Sequence, residues 1–157
     1  MNREAWENGI GRFMLAAGVV ELRMIQLMWN IAIPHSHEDV WIKLDFGRKI
    51  QKVKELVKAS NIPSPLDVRL RLILGEAKQV MQLRNIVAHS PLSACIAFSE
   101  QGMDSELRLR VLRNTEKTFS FDDLNDAIRR VETLDEDLLS VVCDDNLWNW
   151  SPNNKEE

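Results

Sequence analysis

The chain of 157 residues contains no Tyr, two Cys, three His, five Pro and six Gly, and each shortage excludes something. Cys95 and Cys143 are too few and too far apart for a zinc motif or a disulfide framework, so they read as small core residues of a reducing compartment. The glycines form no phosphate-cradling loop and no Gly-x-Ser-x-Gly elbow, and neither Cys stands beside a His. Long apolar runs are missing too. The N-terminal stretch is broken by Arg12, Glu21, Arg23 and Gln26 and has no small-residue cleavage site. A cytoplasmic protein without a membrane partner is the expectation.

What is present, 45% hydrophobic and 28% charged residues, is the make-up of one globular domain. At this length folding hides about two thirds of the unfolded surface, so neither a staple nor a metal is needed. The domain is expected over residues 1–147. A tail over 148–157 is expected to follow, either partly disordered or with Trp148-Asn149-Trp150 packed on the bundle or docked on a partner.

The net charge of −4 disfavours a nucleic-acid partner only as an average. Residues 1–121 hold 17 Lys and Arg against 13 Asp and Glu, whereas residues 122–157 hold 3 against 11. A polyanion meets local patches. Between residues 43 and 58, Lys43, Arg48, Lys49, Lys52, Lys54 and Lys58 face only Asp45 and Glu55.

Apolar residues at helical spacing predict four long helices. The first runs from about Arg3 to Ile33, stopped by Pro34. Its main stripe includes Trp6, Phe13, Ala17, Val20 and Met24, and a second arc of Leu15, Val19, Leu22, Ile25 and Trp29 makes it apolar nearly all round. Such a helix is expected to be buried on several sides, within the fold or in a dimer. The second spans about Phe46 to Ser60 with its lysines outward. The third spans Leu66 to Ala88 or His89, between Pro65 and Pro91. Two short strands, Ala94–Phe98 and Leu107–Val111, are expected around a turn containing Gly102. The fourth helix opens on Ser120 as N-cap and runs to about Val142. The fold class is therefore mainly α, a helical bundle with a small β-hairpin insertion between the third and fourth long helices.

Two charges interrupt the apolar stripes. Arg84 falls among Ala77, Met81, Val87 and Ala88 on the third helix, and Glu21 among Ala17, Met24 and Met28 on the first. An Arg on a core face needs a partner, and an Arg84–Glu21 pair is the natural expectation. Such a pair would be either structural or part of a site. Asn85 and His89, four residues apart, share a more polar face with Arg71, Lys78 and Gln82. A His at a helix C-terminus also reads simply as a cap.

The run Arg84-Asn85-Ile86-Val87-Ala88-His89 resembles the hallmark of the HEPN superfamily, an Arg and a His separated by four to six residues, the first often polar, near the end of a long helix. The resemblance extends in architecture over about residues 3–142. It implies a helical bundle acting as a metal-independent endoribonuclease with no cofactor, in a toxin–antitoxin or phage-defence setting. Arg84, His89 and Asn85 would then be catalytic, with Glu21 supporting Arg84. It further implies a homodimer whose two motifs line one cleft, RNA as substrate, and an antitoxin or operon partner. Phosphate contacts would come from Arg48, Lys49, Lys52, Arg71 and Lys78. The chemistry suits the residues. His titrates near neutrality and can move the 2′-hydroxyl proton, while Arg can stabilise charge on a phosphorane.

One departure bears on regulation. HEPN toxins paired with a nucleotidyltransferase antitoxin carry a modifiable Tyr two residues after the His, and this chain has Pro91 there. A non-catalytic HEPN-like binding, scaffold or antitoxin protein is the second functional class, favoured by the acidic last quarter. His35-Ser36-His37-Glu38-Asp39 has a metal-ligand flavour, but with no third ligand in view it reads as a solvated loop.

Overall fold

The computed structural model describes residues 2–32, 38–60, 62–99, 102–111 and 118–144; of these, the side chains of 38–39, 97–99 and 102–104 are not described. Helix α1 (Arg3–Ile31) starts where the Asn2 side chain accepts a hydrogen bond from the Ala5 amide at 3.1 Å. It ends as Ala32 turns extended. A short α2 (Glu38–Ile42) follows, so Glu38 and Asp39 open a helix rather than fill a loop; His35, Ser36 and His37 lie outside the described residues. Helix α3 (Phe46–Ala59) is capped by Asp45, which accepts from the Arg48 amide at 2.9 Å. Helix α4 (Ser64–His89) has Pro in its first turn, where a missing N–H costs nothing, and stops at an extended Ser90 before Pro91.

The chain then forms an antiparallel sheet of β1 (Leu92–Ser99), β2 (Gly102–Arg110) and β3 (Thr118–Phe119) in that order. Gly102 pairs with Ser99 as the first residue of β2, so the turn precedes it. The expected hairpin thus gains a third strand, with Phe119 against Leu109. Helix α5 (Phe121–Val142) begins with a capping box: the Ser120 side chain accepts from the Asp123 amide while the Asp123 carboxylate accepts from Ser120 N–H.

The fold is mainly helical, four long helices with the sheet inserted between α4 and α5. Cross-helix contacts set their directions. Gly9 lies against Leu124, Arg23 bonds Asp135 at 2.9 Å and Asn30 bonds the Val142 carbonyl at 2.9 Å, so α5 runs parallel to α1. Arg130 bonds Glu76 and Arg69 bonds Ser140, so α4 runs antiparallel to α5. One core joins Phe13, Val20 and Met24 of α1, Val53 of α3, Leu70 and Leu74 of α4, and Leu124, Leu134 and Leu138 of α5. Trp6 and Phe121 meet edge to face at 5.3 Å near the sheet. Among the described residues no helix is long and apolar enough to cross a membrane.

The second apolar arc of α1 behaves differently from its first. Ile25 is buried, but Leu15, Val19 and Leu22 are 77%, 37% and 47% exposed. They lie on the side of α1 opposite the face that meets α3, α4 and α5, so burial within the fold does not account for them.

Candidate active site

Helix α4 carries Arg84, Asn85 and His89 in its last two turns. Its core face is closed at Ala77 and Val80 and again at Val87, while Ala88 beside it is exposed. Arg84 lies between buried Val80 and buried Val87. It stands on the apolar stripe and is half-buried, while Asn85 and His89 are exposed on the adjoining side. At 100° per residue Arg84 and His89 project about 140° apart, so both address one ligand only if it wraps the helix end or reaches it from two sides.

Arg84 has one described hydrogen bond: its Nη1 donates to Asn85 Oδ1 at 3.4 Å, at the long limit for such a bond. No carboxylate among the described residues pairs with it. The expected Arg84–Glu21 pair is not formed. Glu21 instead accepts a hydrogen bond from the Nζ of Lys49, joining α1 to α3. The cause lies in the α3 pattern, because Lys49 stands between Phe46, Ile50 and Val53 on the buried face and is itself 2% exposed. A buried ammonium takes the nearest carboxylate.

Lys49 is therefore removed from the set of expected phosphate contacts, since its ammonium cannot reach solvent. The other members remain on the surface with different freedom. Arg48 pairs with Asp45 at 3.2 Å, and Lys52 lies 3.9 Å from Glu55. Arg71 is held by both oxygens of Asp67 at 3.0 Å, which raises its pKa further. Lys78 is exposed and has no carboxylate partner among the described residues. His89 likewise has no described side-chain partner to orient its ring.

Among the described residues no three His, Cys, Asp or Glu side chains are grouped to hold a metal ion. Trp148-Asn149-Trp150 lies outside the described residues. Sequence reasoning passed over Lys54 and Lys58 as site residues, although their spacing of four places both on one face of α3 beside α4. No family model matches the chain, and neither a curated protein nor a solved structure matches it.

Proposed function

We propose that the protein is a HEPN-type, metal-independent endoribonuclease acting as a homodimer, with Arg84, Asn85 and His89 as its catalytic set. The observation that carries this reading is the state of Arg84. It is a half-buried residue on an apolar stripe, and no carboxylate among the described residues neutralises it, so no ion pair accounts for its place there. Its fork of donors is free to take a phosphate, and Asn85 stands beside it to bind a further oxygen or the imidazole.

In this mechanism His89 removes the proton from a ribose 2′-hydroxyl, whose oxygen attacks the adjacent phosphorus. The 5′-oxygen leaves, taking a proton from a second acid, and the products end in a 2′,3′-cyclic phosphate and a 5′-hydroxyl. Arg84 stabilises the charge gathered on the phosphorane oxygens. The second acid is His89 of the other copy, which is why a dimer is required. Pairing through Leu15 and Leu22 would leave the two α4 helices on opposite outer sides, so the productive contact uses the exposed side of the α4 end, at Asn85, Ala88 and His89, instead. Such an enzyme fits a toxin–antitoxin or phage-defence role controlled by a partner rather than by tyrosine modification.

The test is cleavage of single-stranded RNA in chelator by the wild type, Arg84→Ala and His89→Ala. Cyclic-phosphate ends from the wild type, reduced about a hundredfold or more in both variants, are expected from the size of acid–base and electrostatic contributions. Equal cleavage in all three, or none by the wild type, rejects catalysis. The unoriented ring of His89 favours one second reading, a HEPN-like protein that binds RNA without cutting it. Retained binding without products would select it.

A further inference from the structure

Strand β1 lies at the edge of the sheet; among the described residues it pairs with β2 alone, and no helix runs along its other side. Edge strands are ordinarily guarded by charge, proline, a bulge or brevity. β1 has none of these guards. Leu92–Ser99 holds no charged residue and no Pro, and its register with β2 runs unbroken from Leu92 opposite Leu109 to Ser99 opposite Gly102. The far flank of the sheet differs. There β3 covers β2 only at Leu109 and Arg110, and the rest of β2 carries Asp104, Glu106 and Arg108. One flank is defended by charge and the other is left open.

A single bond fixes which backbone groups face out. Arg110 N–H donates to the Pro91 carbonyl at 3.1 Å, and the register sets these residues opposite each other, so Pro91 turns its carbonyl towards β2. By alternation Ser93 and Cys95 do the same, and the N–H and C=O of Leu92, Ala94, Ile96 and Phe98 are left on the open edge. Ala94 is exposed there and Ile96 is 56% exposed. We propose that this edge takes β1 of a second copy, antiparallel about a two-fold axis, so that the two sheets join into one. Charge selects this occupant: an uncharged strand lies beside its own copy with no like charges opposed, which β2 could not do. Hydrogen bonding selects the register. A two-fold axis on Cys95 pairs all of the outward residues, Ala94 with the partner's Ile96 and Leu92 with the partner's Phe98, whereas an axis on Ile96 leaves Leu92 unpaired. The two Cys95 residues then face each other at a position without ladder bonds, with Cα atoms about 4.5 Å apart. This contact does not rest on the catalytic reading. His89 precedes β1, so the two His89 residues fall at opposite ends of the joined strands, and β1 pairing would link one catalytic pair to the next.

The experiment is light scattering on the full chain at about 100 μM, beside Ile96→Lys and Ala94→Pro. The first variant puts a charge on an exposed position of the edge, and the second removes an outward N–H that the ladder with β2 does not use. The wild type is expected at the mass of two chains or more, and each variant at half that mass or less with its circular dichroism unchanged. Diamide, which oxidises two thiols to a disulfide, is then applied to Cys143→Ser, where Cys95 is the remaining thiol. A disulfide-linked dimer is expected, because the opposed Cα atoms fall within the range a disulfide spans, and Ile96→Lys in the same background should suppress it. A wild type of single-chain mass overturns the proposal, as does a mass that neither edge variant lowers. An assembly that both variants reduce but that yields no Cys95 cross-link overturns the pairing about Cys95.

Discussion

Lys49 reaches from α3 to the carboxylate of Glu21 on α1, and does so from a position 2% exposed, while the Glu21 side chain is 38% exposed. The two partners are therefore unequal. Removing the carboxylate strands an ammonium in the core, whereas replacing Lys49 with an apolar chain of similar length leaves a half-solvated Glu21 that water can serve. Glu21→Gln should cost about 1–3 kcal/mol, less than breaking a fully buried pair because Glu21 is partly screened. Lys49→Met should cost less than Glu21→Gln or nothing. Urea denaturation of both variants checks the order, and the opposite order would show that Lys49 is satisfied by something other than Glu21.

Arg84 invites the contrasting experiment. It stands on an apolar stripe with one long hydrogen bond to Asn85 and no ionic partner among the described residues. Arg84→Met keeps the stem and discards the charge. Folding stability should then stay within about 0.5 kcal/mol of wild type or rise, while RNA cleavage falls with that of Arg84→Ala. Loss of more than about 1 kcal/mol in the urea midpoint would make Arg84 a structural residue and withdraw the argument that it is kept for a ligand.

The long helices are legible in the sequence because their causes are local. Apolar residues recur three and four apart, Ser120 and Asp123 cap each other within one turn, and Pro65 and Pro91 bracket α4. Lys49 was open to the same test as Arg84, since Phe46, Lys49, Ile50 and Val53 share one face of α3, yet among so many outward lysines it passes for one more. The partner of Glu21 is a different matter. It depends on how α3 lies across α1, a relation between residues 28 apart that no local pattern states. Strand β3 is hidden for the same reason: two residues carry no periodicity, and only pairing with Leu109 and Arg110 makes them a strand. For the candidate site, the placement of Arg84, Asn85 and His89 at one helix end follows from spacing alone, but the unpaired state of Arg84 required the packing.

The basic residues should separate by how far each is already neutralised. Lys78 is exposed and without a described carboxylate, whereas Arg71 is held by Asp67 and Arg48 by Asp45. In single-stranded RNA binding by an uncleaving His89→Ala protein, Lys78→Ala should weaken affinity and reduce the slope of log K against log salt by about 0.7, one phosphate contact. Arg48→Ala and Arg71→Ala should change the slope less, because each releases a carboxylate as it loses a cation. Lys49→Met should leave it unchanged. A slope reduced by Lys49→Met and not by Lys78→Ala would place the RNA path elsewhere.

Two glycines of α1 should respond in opposite senses. A Cβ at Gly9 would stand 2.9 Å from Leu124 Cδ2, the end of a fully buried side chain, so Leu124 must shift to admit it. At Gly18 an added Cβ would meet nothing within 4 Å. Gly18→Ala therefore gains helix propensity without a clash and should stabilise by about 0.5–1 kcal/mol, raising the melting temperature by roughly 1–4 °C. Gly9→Val overpacks the contact with buried Leu124 and adds a β-branched residue to a helix, so it should cost about 1–3 kcal/mol. Thermal and urea unfolding of the two variants beside wild type checks both signs. A stabilising Gly9→Val would mean that α1 does not press against Leu124 at Gly9.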